Sequence, residues 1–476
     1  MTNSLPEAID HSGQVAPARR LSLAALTCLA YFTACGGAFG IEPLIGAVGP
    51  GWAMVLIFLT PALYSVPIAL MAAELSTLLP EEGGYYIWVR ESLGPFWAVQ
   101  EAWWTLSYSV MLLASFPVLF VTYLSYLVPS IAPSADVPGT HSGPSIRWLV
   151  ALLVIVSAMI INLRGARDVG RSAIVAAALV LGTFVVLVIL GFVNGPSPTA
   201  GVSVVARDLT AGHQGALLLG LSLSIMAYGG WDNISTYAGE VDQPQRNYPL
   251  ALGGALILAV VGYALPVLVG IAFTTDPSVW SAEAGWPVIA GKIGGPWLGV
   301  LLAAAGLVSM WGLFNAQLLY VSRIPFVMAR DGWLPSLLAR TGSEVAVPRL
   351  AIVALCSVTA CLALLSFNSL VVMICVLYTA ALVLEFLALI TFRVRLPNAH
   401  RPFRVPGGSW GLTCLCLAPL VVAIAVLIAI VRDGDSYGPQ LLLIAAVSVS
   451  GVALYFTRRK RADPKPRSLP VNNTPA

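Results

Sequence analysis

The sequence predicts an all-α integral membrane protein with about twelve transmembrane helices, on its composition, its long apolar runs and its basic residues. Of 476 residues, 58% are hydrophobic and only 10% charged. A soluble domain carries about 25% charged residues to face water. The mean hydropathy of +0.86 agrees. The apolar residues come in continuous runs long enough to cross a bilayer, which takes about 20 residues of helix. They do not alternate every second residue, so an outer-membrane barrel is excluded.

Taken in order, the runs give candidate spans at 21–47, 51–77, 95–127, 147–163, 172–194, 214–238, 248–274, 295–323, 348–366, 369–392, 410–431 and 438–457. The segment before them is polar and ends in Arg19-Arg20, and a full span follows it, so no cleavable signal peptide is expected. With that N-terminal tail inside, the inner segments hold 21 of the 25 lysines and arginines, and only Arg147, Arg207, Lys292 and Arg432 fall outside. This bias places both termini in the cytoplasm of a cell (plasma) membrane protein. It also supports the span count, because one missed helix would scramble the alternation. The basic cluster from Arg458 to Arg461 is expected to meet anionic headgroups, and so short a run does not suggest nucleic-acid binding.

Two spans are interrupted. The first contains Cys35-Gly36-Gly37-Ala38-Phe39-Gly40, then Glu42-Pro43; the sixth contains Tyr228-Gly229-Gly230-Trp231-Asp232-Asn233. Each glycine weakens a helix interior by about 1 kcal/mol relative to alanine, and proline is tolerated in a first turn but not further in. Glu42-Pro43 therefore reads as the start of a new half-helix. Unwound backbone inside a bilayer must line a cavity or bind something. Glycines used only for close helix packing are the alternative. Two breaks at corresponding places in spans one and six, each followed by an acidic residue, favour a five-plus-five inverted repeat with a site at mid-membrane. The expected organisation is a tail at 1–20, repeats at 21–194 and 214–392, two further helices at 410–457, and a basic cytoplasmic tail at 458–476.

At these residues the chain resembles a known family. Gly36-Gly37-Ala38-Phe39-Gly40-Ile41-Glu42 is similar to the first helix of amino acid–polyamine–organocation (APC) permeases, nearest the polyamine/proton symporter branch and its bacterial relatives. Ala73-Glu74-Leu75, Pro80-Glu81-Glu82-Gly83-Gly84-Tyr85-Tyr86 and Gly94-Pro95-Phe96-Trp97 resemble the superfamily's signature between helices two and three. Trp231-Asp232-Asn233 with Gly239-Glu240-Val241, and Ser322-Arg323-Ile324-Pro325 with Asp331-Gly332-Trp333, resemble its sixth helix and the loop after its eighth. The resemblance implies a LeuT-type fold, alternating access, and uptake of an amino acid or organic amine, commonly driven by protons. It implies no cofactor. The chain departs from the polyamine branch where an Asp-Asn pair is usual: Leu112-Leu113 stand there before Phe116-Pro117, and Thr122 replaces a further aspartate. A long polycation would want several carboxylates. A small amino acid or amine is therefore expected ahead of a polyamine, with ion-independent exchange as a further alternative.

Ionisable groups within spans are costly enough to be functional candidates. Glu42 is a candidate for binding a substrate amine or a proton, or else it complements a half-helix dipole. Asp232 beside Trp231 suits ammonium recognition by a carboxylate and an aromatic face, or caps the second half-helix. The expected site comprises Gly36, Gly37, Phe39, Gly40, Glu42, Tyr108, Tyr228, Gly229, Gly230, Trp231 and Asp232, the aromatics having packing as their alternative role. Glu240, before Pro244 and Arg246, is a gating candidate. Glu101, between Trp97 and Trp103-Trp104, is a proton-coupling candidate or an interfacial carboxylate. Glu74 is expected to shape the inner loop, with Arg90 as a partner for the acids there; Glu385 is assigned no role.

Proton coupling by Glu42 or Glu240 is expected, since span five lacks the lysine that some proton-coupled APC members carry. Sodium would need hydroxyl and carbonyl ligands, for which Ser309 is a candidate. No metal site is expected: the seven cysteines lie in apolar segments and read as packing residues. A membrane enzyme is disfavoured because the four histidines have no mid-span partner and no nucleophile motif is present. A nutrient sensor on the same scaffold would be expected to need a large soluble output segment, and each tail is short.

Overall fold

Glycine, proline and short polar runs punctuate the apolar helices, and the computed structural model breaks where they stand. It describes residues 21–131, 144–195, 197, 199–211, 217–280, 285–341, 347–363, 371–432 and 434–462. The helices are α1 (Leu23–Ala34), α2 (Glu42–Thr60), α3 (Val66–Leu78), α4 (Gly84–Leu93), α5 (Pro95–Leu127) and α6 (Pro144–Arg164). Next come α7 (Ala166–Asn194), α8 (Ala200–Ala211), α9 (Leu217–Ala227), α10 (Pro244–Phe273), α11 (Pro277–Trp280) and α12 (Gly285–Gly294). The last are α13 (Pro296–Val321), α14 (Arg323–Arg330), α15 (Arg349–Leu362), α16 (Val371–Arg395), α17 (Gly408–Arg432) and α18 (Gly434–Arg458). Among the described residues, β-pairing is confined to two isolated bridges, Leu21 with Val241 and Glu82 with Tyr237.

Among the described residues, eight helical stretches are long and apolar enough to cross a membrane, and Leu23–Ala34, Arg349–Leu362 and Gly408–Val421 are shorter apolar helices. The expected N-terminal tail lies outside the described residues, as does the C-terminal tail beyond Ala462.

Local chemistry explains the interruptions. Ser22 caps α1 by accepting from the Ala25 N–H at 3.3 Å. The chain then unwinds through Gly36, Gly37 and Gly40, whose φ angles of 66°, 107° and 87° are costly for a residue with a side chain. α2 begins at Glu42, with Pro43 in its first turn where a missing N–H costs nothing. Gly49-Pro50 kinks α2, and a π-helical turn at Pro61–Ser65 joins it to α3. Span six differs from expectation. After the break at Tyr228–Asp232 it continues as two 3₁₀ turns, Asn233–Thr236 and Ala238–Glu240, rather than as an α half-helix.

One relation between the halves escaped the sequence reading. The ten-residue helix α4 leads through Gly94-Pro95 into α5, and the ten-residue helix α12 leads through Gly295-Pro296 into α13. Gly94 (φ 94°, ψ 172°) and Gly295 (φ 87°, ψ −179°) share one backbone conformation. They lie at opposite ends of the molecule. α4 sits at the arginine-rich end, where Arg90 pairs with Asp331; α10 leaves that end at Pro244, so α11 and α12 sit at the far end.

Candidate functional site

The two breaks meet. A Cβ on Gly230 would stand 3.0 Å from the Thr33 carbonyl oxygen, and one on Gly36 or Gly37 would strike Leu313 or Val180 at 2.7 Å. Unwound backbone is thus wedged against α13 and α7, and several of its polar groups are engaged. The Gly36 carbonyl accepts from Ser309 Oγ, and the Thr33 carbonyl accepts from Gln317 Nε2 at 3.3 Å. The N–H groups of Cys35 and Gly36 share the Tyr31 carbonyl at 2.8 and 3.1 Å.

Glu42 is buried and turns back on its own break. Its Oε2 accepts from the Gly40 N–H at 2.6 Å, and its Oε1 accepts from the Tyr123 hydroxyl at 3.3 Å. Gly285 of α12 lies over its side chain. An aromatic roof closes this far side: Phe39 packs on Tyr123 and Phe184 at 5.2 and 4.9 Å, and Phe184 packs on Trp286 at 5.4 Å. The Trp286 indole N–H donates to the Ala38 carbonyl at 2.7 Å, so the roof is pinned to the unwound chain.

The break in span six is braced by side chains. The Trp231 indole N–H donates to the Tyr228 carbonyl at 2.8 Å, which Ser65 Oγ also reaches at 3.1 Å. Tyr378 of α16 accepts from the Gly230 N–H at 2.7 Å and donates to Asp232 Oδ1 at 2.8 Å. Its ring meets that of Tyr108 edge-on at 5.3 Å. Asp232 makes no capping bond to the 3₁₀ turn that follows it.

Around this bridge lies the feature the sequence reading did not assemble. Asp232, Glu101 of α5 and Glu385 of α16 are each at most 1% exposed. Each has one carboxylate oxygen without a hydrogen-bond partner. Glu101 feels the charge of Asp232, and Glu385 feels both. Among the described residues none of the three pairs with an arginine or lysine. Buried carboxylates without counter-charge cost several kcal/mol each, and buried polar atoms are ordinarily satisfied. A bound cation or a bound proton would each relieve that cost. Tyr85 and Tyr108 add buried hydroxyls with no partner.

The arginine-rich end is latched. Arg323, fully buried, binds Glu240 through Nε and Nη2 at 3.0 and 2.7 Å. The Leu21 N–H donates to the Glu240 carbonyl at 2.8 Å, and the Gly83 N–H to the Thr236 carbonyl at 2.8 Å. Burial pushes the Glu82 carboxyl up to about 7; Glu240 reinforces the shift, while Arg323 and Arg330 oppose it.

Several expectations need correcting. Glu42 and Asp232 share no hydrogen-bond partner: the first binds the Gly40 N–H and Tyr123, the second Tyr378. Glu101 is not interfacial, because α16 and α4 cover it. Tyr228 points its hydroxyl at the Ile57 carbonyl and meets the Tyr263 ring edge-on, which is packing. Phe39 belongs to the roof. Glu74 pairs with Arg393 and Arg401, whereas Arg90 pairs with Asp331 and Glu91. Tyr378 and Glu385 were missed as site residues. Their signal was a mirrored spacing: Glu101 and Tyr108 stand seven apart on α5, as Tyr378 and Glu385 do on α16.

A family model described as amino acid permease matches residues 21–471. A probable polyamine transporter of Arabidopsis thaliana is 33% identical over 454 residues, covering 94% of this chain and 88% of that protein. A polyamine transporter of Oryza sativa subsp. japonica is 35% identical over 450 residues, covering 93% and 80%. A branched-chain amino acid permease of Lactococcus lactis subsp. cremoris is 29% identical over 305 residues, covering 62% and 64%.

Proposed function

This chain belongs to the amino acid permease family, and from that premise we propose that it is a secondary active transporter that grips the ammonium of its substrate at Asp232 and carries it across by alternating access. The family is one of transporters, and the chain is not an enzyme. The carrying observation is the Asp232 carboxylate: buried, oriented by Tyr378 through Oδ1, with Oδ2 free for a donor.

Transport of amino acids and of polyamines both fit the family. An amino acid also needs a receptor for its carboxylate. At the first break the Gly36 and Gly40 N–H groups are already taken, and the second of them by Glu42, which would repel an anion. A substrate bearing ammonium groups alone suits these surroundings better. The amino acid reading keeps support from the similarity to the branched-chain amino acid permease.

The twelve-span, LeuT-type arrangement is part of the same reading. α1 with the start of α2, and α9 with its 3₁₀ turns, make the two broken spans, and the other long apolar helices together with the shorter α15 and α17 make the rest. The mirrored helix-Gly-Pro connections, α4 to α5 and α12 to α13, support an inverted relation between 21–194 and 214–392. The arginine-rich end faces the cytoplasm of the plasma membrane, with Glu240–Arg323 as an inner gate. Coupling is to protons, through Glu42 or Glu240. Against sodium, the Ser309 hydroxyl already donates to the Gly36 carbonyl, one of the oxygens such an ion would require.

Uptake into proteoliposomes by the full chain, with radiolabelled amino acids and amines and with or without an imposed proton gradient, tests the reading. Saturable, gradient-dependent amine uptake that falls at least fiftyfold in Asp232→Asn is expected. Uptake unaffected by that substitution would sink the assignment.

A further inference from the structure

Asp232 accounts for one positive charge, yet three buried carboxylates share the site. Helix geometry fixes where the other two stand. The rings of Tyr108 and Tyr378 touch, so these residues sit at one level on α5 and α16. At the arginine-rich end, Arg395 Nη1 donates to the Ser92 carbonyl at 2.9 Å, just before α5 begins. The start of α5 thus lies beside the last turn of α16, so the two helices run antiparallel. Seven residues from each tyrosine toward that end, two turns along and on the same helix face, lie Glu101 and Glu385. They face one another about 10 Å below the tyrosine pair.

The chemistry of that level points to a ligand. Glu101 Oε1 accepts from Thr105 Oγ1 at 2.9 Å, but Glu101 Oε2 and Glu385 Oε2 have no partner. A third element supplies an independent sign: the Tyr85 hydroxyl of α4 is fully buried, has no partner and lies close enough to feel Glu101. Two carboxylates and a hydroxyl converging in a dry interior match an ammonium, which has three N–H donors to place.

We propose that Glu101, Glu385 and Tyr85 form a second ammonium subsite, about two helical turns along α5 and α16 from the Tyr108–Tyr378 pair beside the Asp232 anchor, which holds the distal amine of a linear polyamine. The inference rests on Asp232 binding the first ammonium. It makes the spacing of amines along the chain, rather than total charge, the selected property. It also gives a polycation two further carboxylates in a chain that has Leu112-Leu113 and Thr122 where the polyamine branch carries acids.

Calorimetric binding of butylamine, putrescine and spermidine to the purified full chain in lipid nanodiscs tests it, with thermal unfolding as the check on folding. Wild-type protein is expected to prefer spermidine to butylamine. Glu385→Gln and Glu101→Gln should each lower that affinity ratio at least tenfold, whereas Asp232→Asn should weaken both ligands together. A ratio that holds in either glutamine variant overturns the paired subsite, even where Asp232→Asn still removes amine binding and so leaves the anchor standing. Wild-type protein that binds no amine overturns the anchor, and the subsite with it.

Discussion

The Tyr378 hydroxyl joins two groups that would otherwise oppose each other's burial. It accepts from the Gly230 N–H, exposed by the break, and donates to the Asp232 carboxylate. The break is thereby satisfied and the carboxylate is aimed with Oδ2 outward. Tyr378→Phe keeps the ring contact with Tyr108 but strands both partners, at about 1–3 kcal/mol for each unsatisfied group. The expected result is an amine KM raised at least fivefold with a smaller change in maximal rate. An unaltered KM in uptake kinetics would remove Tyr378 from the site. Gly230 itself allows no side chain, having φ 96° and standing against the Thr33 carbonyl.

Among elements, the joint between α3, α16 and the segment that follows α16 depends on one buried acid. Glu74 accepts from Arg393, from the Val405 N–H at 2.8 Å, and lies 3.2 Å from Arg401 Nε. Removing it leaves two largely buried guanidinium groups facing each other without a counter-charge. Breaking a buried pair in this way costs about 3–5 kcal/mol. Glu74→Ala should therefore lower the thermal unfolding temperature of the detergent-purified protein markedly, and Glu74→Asp should lower it less. Equal stability of Glu74→Ala and wild type would show that the joint does not hold the helices together. Span six behaves differently. Its inner half is two short 3₁₀ turns secured by neighbours, and a 3₁₀ turn has poorer hydrogen-bond geometry than an α-helix. Such a segment can release without unfolding a helix.

For the whole molecule, the site is closed at both ends: the Phe39–Tyr123–Phe184–Trp286 roof on one side and the Glu240–Arg323 latch on the other. Glu82 makes the latch sensitive to pH. Its carboxyl is held at about 7 in the closed form, against the ordinary 4.5 once solvent reaches it. A raised value means that the closed form binds the proton more tightly, so closure is most favoured below 4.5 and loses that support as pH rises through about 7. Amide exchange of residues 233–241, corrected for its intrinsic pH dependence, should accelerate between pH 5 and pH 8. Glu82→Gln should flatten that rise. A rise of the same size in the variant would assign the effect elsewhere.

Local chemistry determined much of this protein from sequence alone. Runs of apolar residues and glycine pairs followed by an acid express themselves wherever they stand, so the apolar helices, both breaks and the family resemblance could be read directly. The helix start at Glu42-Pro43 followed in the same way. Tertiary structure alone decided which buried acids work together. Glu42, adjacent to a break, turns back to its own Gly40 N–H and sits beneath the roof, while Glu101 and Glu385 join Asp232 from distant segments. Helical periodicity tells which residues share a face, but not which face of another helix it meets. That choice is made by packing across the fold, and here the antiparallel packing of α5 and α16 made neighbours of Glu101, a proton-coupling candidate, and Glu385, which had no assigned role.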